Sequence, residues 1–184
     1  MHNLFFMNLV RQDQHYPRIL RALYPALLFP QYEIGTIADL DPEELHSLGI
    51  EGIIFDVDNT LTEYNGRCVD PLLHHAFDTL RRAFNACIIS NTTQERREQL
   101  SSYFDLHTVH TAVRKPHKEP FLEALAYLRT QPHQTAMIGD RLFTDIYGAN
   151  RMGIVSIYAQ PLHPRSEPLP HQIARAFELF LYGK

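Results

Sequence analysis

Residues 55–62, FDVDNTLT, hold two aspartates two positions apart, directly after the apolar run 52–55. A short apolar run that ends in a polar turn is typical of a buried strand in a parallel sheet. Residues i and i+2 of an extended segment point to the same side, so Asp56 and Asp58 face one space. Two carboxylates in one space repel each other, and this repulsion raises the pKa of one of them. A divalent cation would relieve that repulsion if a further acid joined them.

Short apolar strands and amphipathic helices alternate along most of the chain. This alternation is typical of a parallel sheet with helices on both faces. We therefore predict a doubly wound, Rossmann-like α/β fold with a parallel sheet of about five strands. The predicted strands are 52–55, 86–90, 108–112, 136–139 and 154–158.

Three parts of the chain are predicted from composition and helix signals. Residues 1–48 form an N-terminal arm, residues 49–160 the α/β core, and residues 161–184 a proline-rich linker with a last helix that packs on the core. Within the arm, the cap residue Asp41 predicts a helix that stops at Gly49. Apolar positions of the last helix recur with a helical period at Ile173, Phe177, Phe180 and Leu181.

The composition argues against several classes of protein. Lys and Arg number 17 against 21 Asp and Glu, a net charge of −4 that does not favour nucleic acid as a partner. Cys68 and Cys87 have no paired spacing, so we expect no disulfide framework and a reducing, cytoplasmic location. No apolar run approaches the ~20 residues of a membrane span. The start of the chain lacks the basic region and cleavage site of a signal peptide.

Further candidate site residues follow the other predicted strands. In a parallel α/β sheet, functional groups collect at the carboxyl ends of the strands. We therefore expect these residues to lie near the two aspartates of the first core strand. They are Ser90 and Asn91, Lys115, and Asp140 with Asp145.

The expected cluster favours phosphoryl transfer. Carboxylates with open water positions suit Mg²⁺. One carboxylate could act as a nucleophile while a second holds or takes a proton. Ser90 could hold phosphate oxygens and Lys115 could neutralise them. Each of these short motifs alone is usually a helix cap or a surface turn. Their order along the chain, each after a predicted strand, favours the catalytic interpretation.

These motifs resemble those of the haloacid dehalogenase (HAD) superfamily of phosphatases over about residues 45–160. Within that superfamily the chain resembles the YqeG-type branch, which is similar to mitochondrial phosphatidylglycerophosphatase. Arg175 and Glu178 in the last helix also resemble an R-x-x-E pattern of that branch. The matching segments are FDVDNTLT (55–62), S-N-x-x-x-E-R-R (90–97), which begins with the Ser-Asn motif, RKP (114–116) and GDRLFTDIYGANRMG (139–153).

The resemblance implies a role for each motif residue. Asp56 would be the nucleophile that becomes phosphorylated, and Asp58 the acid that protonates the leaving oxygen and then activates water. Mg²⁺ would be held by Asp56, the backbone carbonyl of Asp58, and Asp140. Asp145 would be a more remote metal partner that also positions Lys115. The phosphate-binding residues would be Ser90, Asn91 and Asn59.

The spacing of the motifs predicts a capless enzyme. Between Asp58 and Ser90 there is room only for a flap at 63–69 and one helix. An open site suits a large or surface-bound substrate, or needs a neighbouring subunit as a lid. The apolar arm segment 17–30, with two arginines, could rest on an anionic membrane surface or pack within a homo-oligomer.

Three functions stay open on the sequence. The first is hydrolysis of phosphatidylglycerophosphate in phospholipid synthesis, with the protein peripheral at an inner membrane surface. The second is promiscuous hydrolysis of sugar, nucleotide or protein phosphates. The third is a non-catalytic phospho-receiver or binding module, but a receiver has its lysine last, whereas here two acids follow Lys115.

Overall fold

A computed structural model describes residues 10–11 and 26–182 of the chain. Within these ranges a seven-stranded sheet has the order β1-β2-β7-β6-β3-β4-β5. The first pair, β1 and β2, is antiparallel and every other neighbouring pair is parallel. The strands are β1 (Val10–Arg11), β2 (Tyr32–Ile34), β3 (Gly52–Phe55), β4 (Asn85–Ile88), β5 (His107–Thr108), β6 (Thr135–Gly139) and β7 (Val155–Ala159).

Helices connect the strands and complete the doubly wound α/β fold that the sequence predicts. A one-turn π-helix, Leu142–Ile146, directly precedes the fifth α-helix. Its position puts an irregular turn next to the end of β6, where function is expected. The α-helices are α1 (Pro42–Ser47), α2 (His74–Ala83), α3 (Gln94–Phe104), α4 (Lys118–Leu128), α5 (Tyr147–Met152) and α6 (Leu169–Tyr182).

Local signals account for where α1 begins and ends. The Asp41 side chain accepts a hydrogen bond from the Glu43 amide at 2.9 Å, and Pro42 occupies the first turn, where no amide hydrogen is needed. Gly49 follows the helix with φ of +79°, a left-handed conformation that glycine adopts without strain. The predicted helix is therefore confirmed at both ends.

All five predicted strands are present, and four of them match the predicted bounds to within two residues. The strand predicted at 108–112 is only the two-residue β5, which shares Thr108 with the prediction and lies at one edge of the sheet. The two additional strands, β1 and β2, come from the arm, for which we predicted no strand. Tyr32 of β2 pairs with Ile157 of β7, so this part of the arm extends the sheet.

The core lies on both faces of the sheet because side chains alternate along each strand. On β3, Ile53 and Phe55 pack on one face and Ile54 on the other. Phe77 of α2 belongs to the first cluster and Phe121 of α4 to the second. Each fully buried side chain of this kind contributes roughly 1.5–3 kcal/mol. Packing on both faces fixes the sheet edge where the polar motif residues lie.

Helix α6 packs on the core with its polar side. Arg175, Glu178 and Tyr182 are its buried residues. Three of the apolar positions that give it a helical period are exposed: Ile173 by 62%, Phe177 by 55% and Phe180 by 75%. The period correctly indicates a helix but does not indicate which side meets the core.

None of the helices within residues 26–182 combines the length and apolar character needed to cross a membrane. Residues 1–9 and 12–25 of the arm, which include Arg18 and Arg21, lie outside the described residues. The predicted contact of that segment with a membrane or another subunit therefore stays a prediction.

Candidate active site

Three aspartates meet at the carboxyl ends of neighbouring strands. Asp56 follows β3 and Asp140 follows β6, and these strands pair through Phe55 and Ile138. Asp145 reaches the same place from the π-helix. All three are buried, and one carboxylate oxygen from each lies within 4.8 Å of those of the other two. Strand pairing thus assembles an acid cluster, which we call the acid triad.

A buried lysine lies between two members of the triad. Lys115 Nζ is 2.5 Å from Asp56 Oδ1 and 2.7 Å from Asp145 Oδ1. Burial alone would lower the pKa of Lys115, but the charges of Asp145 and Asp56 outweigh burial and raise it. Lys115 is therefore a fixed positive charge beside Asp56.

Asn91 holds the backbone of Lys115. Its Oδ1 accepts a hydrogen bond from the Lys115 amide at 2.8 Å, and its Nδ2 donates to the Lys115 carbonyl at 3.0 Å. The predicted pair Ser90–Asn91 therefore has two roles. Ser90 lines the cavity, and the Asn91 side-chain amide holds the lysine in place.

Asp58 is oriented by an arginine that sequence reasoning did not assign. Arg96 Nη2 donates to Asp58 Oδ1 at 2.7 Å, and the Asn65 amide donates to the same oxygen at 2.8 Å. Burial raises the pKa of Asp58 even though Arg96 lowers it. Arg96 belongs to the S-N-x-x-x-E-R-R segment, yet only the packing of α3 shows which acid it meets.

Asn59, to which the resemblance gives a phosphate-binding role, makes other contacts in the structure. Asn59 is fully buried, its Nδ2 donates to Glu167 Oε1 at 3.0 Å, and its Oδ1 accepts from the His163 amide at 3.0 Å. Both ends of its amide thus bind the proline-rich linker, 104 to 108 residues away in sequence. The motif pattern could not reveal this contact because the linker carries no recognisable motif.

The remaining predicted residues surround one open cavity of about 300 Å³. Asp145, the third member of the acid triad, is fully buried. Between Asp58 and Ser90 the described residues form only the flap, a short 3-10 helix, α2 and β4, so this stretch holds no cap domain. The cavity is lined by Asp56, Asp58, Ser90, Asn91, Lys115 and Asp140, together with Tyr64, Asn65, Thr92, Arg114, Arg141, Thr144, Glu167 and His171.

The acid triad fits a divalent cation. Burial raises the pKa of Asp56 to about 7, and burial together with the charge of Asp56 raises the pKa of Asp140. Asp140 Oδ1 is buried and accepts no hydrogen bond from any residue that the structure describes. Both oxygens of Asp145, in contrast, are bonded, to Lys115 and to the Arg141 amide. A cation that accepts carboxylate oxygens would satisfy Asp140 Oδ1 and offset the negative charge.

Comparison with known sequences agrees with this geometry. A family model described as mitochondrial PGP phosphatase matches residues 18–162. The probable phosphatase YqeG of Bacillus subtilis is 30% identical over 134 residues, which cover 72% of this chain and 77% of that protein. The mitochondrial phosphatidylglycerophosphatase GEP4 of Saccharomyces cerevisiae is 31% identical over 153 residues, which cover 76% of this chain and 82% of GEP4.

Other similarities concern longer proteins and the fold. The chain spans 47% of phosphatidylglycerophosphate phosphatase 1 of Arabidopsis thaliana, with 26% identity. A solved haloacid dehalogenase-like hydrolase from Xanthomonas campestris superposes with a TM-score of 0.51 at 13% identity, covering 72% of this chain and 92% of that one. At that identity the superposition shows a shared fold.

Proposed function

Because the chain belongs to the mitochondrial PGP phosphatase family and is a HAD-type phosphatase, we propose that it is a Mg²⁺-dependent phosphomonoester hydrolase. We propose further that it works through an aspartyl-phosphate and acts on phosphatidylglycerophosphate or a similar membrane phosphomonoester. The observation that carries the proposal is the acid triad, with Lys115 bound to two of its members, next to an open cavity that Asp56, Asp140 and Lys115 line.

Asp56 is the proposed nucleophile. One of its carboxylate oxygens attacks phosphorus, and the bond from phosphorus to the leaving oxygen breaks. Lys115, held against Asp56, offsets the charge that the phosphoryl oxygens carry in the transition state. Ser90, which lines the cavity, would donate its hydroxyl hydrogen to one of those oxygens.

Asp58 is the proposed acid and base. Arg96 and the Asn65 amide both bind its Oδ1, which leaves Oδ2 to carry the transferred proton. Oδ2 gives that proton to the leaving oxygen, and then takes a proton from the water that attacks phosphorus and releases Asp56. General acid–base help of this kind contributes about 10²–10⁴-fold. The raised pKa of Asp58 favours the protonated form that the first step needs.

Asp56 and Asp140 are the side chains that would hold Mg²⁺, with the backbone carbonyl of Asp58 as a third ligand. When bound, the cation supplies positive charge that draws the phosphate oxygens and the nucleophile together. Asp145 serves a different purpose, because its two oxygens already bind Lys115 and the Arg141 amide.

The lipid substrate is favoured by the surface next to the cavity. His171, in the first turn of α6, lines the cavity. The outer side of the same helix exposes Leu169, Ile173, Phe177 and Phe180. Such an aromatic and aliphatic helix side suits the boundary between lipid headgroups and acyl chains. We infer that α6 rests on the membrane while the phosphomonoester enters the capless cavity.

One assay series tests the substrate. We expect kcat/KM on phosphatidylglycerophosphate in detergent micelles to exceed that on glycerol 3-phosphate by at least about tenfold, which is roughly 1.4 kcal/mol of transition-state binding. Phe177→Ser should reduce the advantage on the lipid and leave hydrolysis of glycerol 3-phosphate unchanged. Leu122→Ser is the matched control, because Leu122 is 53% exposed on α4, against 55% for Phe177.

The two results have separate meanings. Equal kcat/KM on both substrates would rule out the lipid preference and favour a general phosphatase for sugar, nucleotide or protein phosphates. An equal effect of both variants on lipid hydrolysis would rule out α6 as the membrane contact while leaving the lipid preference intact.

A further inference from the structure

The C-terminal helix reaches a member of the acid triad through one buried arginine. Arg175 is 4% exposed. Its Nη2 donates to Asp140 Oδ2 at 2.6 Å, and its Nη1 donates to the backbone carbonyl of Asp140 at 3.0 Å. Two contacts that span the side chain and the backbone of one residue fix the rotation of its carboxylate.

This double contact decides which oxygen of Asp140 remains for a ligand. Oδ2 is taken by Arg175, whereas Oδ1 is buried and accepts no hydrogen bond from the described part of the chain. Asp140 contributes one carboxylate oxygen to the cluster with Asp56 and Asp145, and Oδ1 is its oxygen without a hydrogen-bond partner among the described residues. A buried acceptor without a partner is costly, so its occurrence here needs an explanation.

A buried glutamate in the linker holds the arginine in turn. Glu167 Oε2 accepts from Arg175 Nε at 3.0 Å, and Oε1 accepts from Nη2 at 2.6 Å. Glu167 also binds Asn59, so the turn after the first core strand, the linker and α6 share one polar network. Glu167 is 6% exposed, although the linker around it is mostly exposed.

We propose that Arg175 is a positioning residue that turns Asp140 so that Oδ1 faces the cation, and that Glu167 holds Arg175 in the orientation required. This inference rests on the proposed Mg²⁺ dependence. It adds two residues to the set that the metal site needs: Arg175, which the R-x-x-E pattern contains but to which no role was assigned, and Glu167, which lies in no motif. It thereby gives the linker and α6 a part in the chemistry.

The guanidinium group is needed for its shape as well as its charge. Four N–H directions of Arg175 are used, two toward Asp140 and two toward Glu167. A lysine ammonium is a single point and cannot span the carbonyl and Oδ2 of Asp140 while also binding Glu167. Arg175→Lys therefore keeps the charge and removes the orientation.

The test is a titration of Mn²⁺ without substrate, in which electron paramagnetic resonance measures free Mn²⁺. Arg175→Lys should weaken Mn²⁺ binding by about 10–100-fold, the loss typical when a partner of a metal ligand is removed. Glu167→Gln, which leaves the arginine in place, should also weaken it, by about tenfold. Raised Mg²⁺ should restore most of the kcat of both variants on an aryl phosphate.

Glu178→Gln is the matched control. Glu178 is a buried acid on the same helix, but it binds Arg141 and the Leu142 amide and makes no contact with Asp140 among the hydrogen bonds and ion pairs of the described residues. We expect this variant to change Mn²⁺ affinity by less than about twofold. Circular dichroism and thermal unfolding show which variants are folded.

The outcomes are distinguishable. Unchanged Mn²⁺ affinity in folded Arg175→Lys overturns the inference, and if that variant does not fold, unchanged affinity in Glu167→Gln overturns it. An equal loss in Glu178→Gln overturns it as well, because the effect would then come from docking of α6. No Mn²⁺ binding by the wild-type protein would contradict the proposed metal dependence itself.

Discussion

Two cations reach the acid triad from opposite parts of the chain, and their surroundings differ. Lys115 comes from the core and lies between Asp56 and Asp145, on the wall of the cavity. Arg175 comes from the C-terminal helix and binds Oδ2 of Asp140, which leaves Oδ1 without a partner among the described residues. Lys115 therefore touches the proposed nucleophile, whereas Arg175 acts on it only through Asp140.

The two cations are therefore expected to have different roles: Lys115 supplies charge, and Arg175 sets the orientation of Asp140. Removing the lysine should remove positive charge that the transition state uses, and added metal cannot replace it. Altering the arginine should disturb only where a metal ligand points, and added metal should compensate. Three experiments test this distinction. The first changes the proposed nucleophile, which Lys115 contacts directly and Arg175 affects through Asp140.

The largest effect is expected from Asp56→Asn. A carboxamide is a poor nucleophile, so the covalent route is lost and activity on an aryl phosphate should fall below about 1%. Beryllium fluoride, which traps a phosphorylated aspartate as an analogue, should no longer be retained by the variant. Residual activity well above that level, in protein shown to be folded, would make Asp56 a metal ligand only.

A smaller but still large effect is expected from Lys115→Ala. Loss of one charge-stabilising donor costs about 10²–10³ in kcat, and saturating Mg²⁺ should not restore it, unlike the Arg175→Lys defect. Lys118→Ala, at an exposed lysine three positions on, is the control and should keep normal kinetics. Recovery of Lys115→Ala at high Mg²⁺ would remove the distinction between the two cations.

The smallest expected effect is a change with pH in how strongly Mg²⁺ stabilises the folded protein. Burial raises the pKa of Asp56 from its ordinary 3.8 to about 7. Between these values the folded, metal-free protein keeps a proton that the unfolded chain has released. Its stability therefore falls as pH rises through that window and levels off above about pH 7.

Mg²⁺ competes with that proton, so the stabilisation that Mg²⁺ provides should increase as pH rises over the same window. We expect Mg²⁺ to raise Tm more at about pH 8 than at about pH 5, as measured by thermal unfolding with and without the ion. Asp56→Asn should reduce the pH dependence of the increment; the buried Asp140, whose pKa is also raised, would account for what remains. A larger increment at the lower pH would contradict the raised pKa of the triad.

Much of the fold follows from the sequence because its signals are local. Alternating apolar runs and amphipathic helices predict the five core strands, and a cap with a first-turn proline predicts α1. The short strands β1 and β2 are different. They contain few residues and exist because β7 offers a free edge, which no pattern within residues 10–34 reveals.

The motif residues also follow from the sequence, because each lies just after a strand and parallel strands end at one edge of a sheet. Six of the eight predicted site residues line one cavity, and Asp145 lies beside it. Asn59 is the exception, since its partners come from the linker. Arg96 lies in a motif and Glu167 does not, but neither was assigned a role, because the sequence around an arginine or glutamate does not show which distant residue it binds.

The sequence by itself determined the order of strands and helices, the acids at the strand ends and the phosphatase motifs, since each depends on neighbours a few residues away. Only the tertiary structure decided that α6 turns its charged side inward and that Arg175 meets Asp140, 35 residues earlier in the chain. Those choices depend on which buried charges find partners, because an ion without a partner is far more costly to bury than an apolar side chain is to expose.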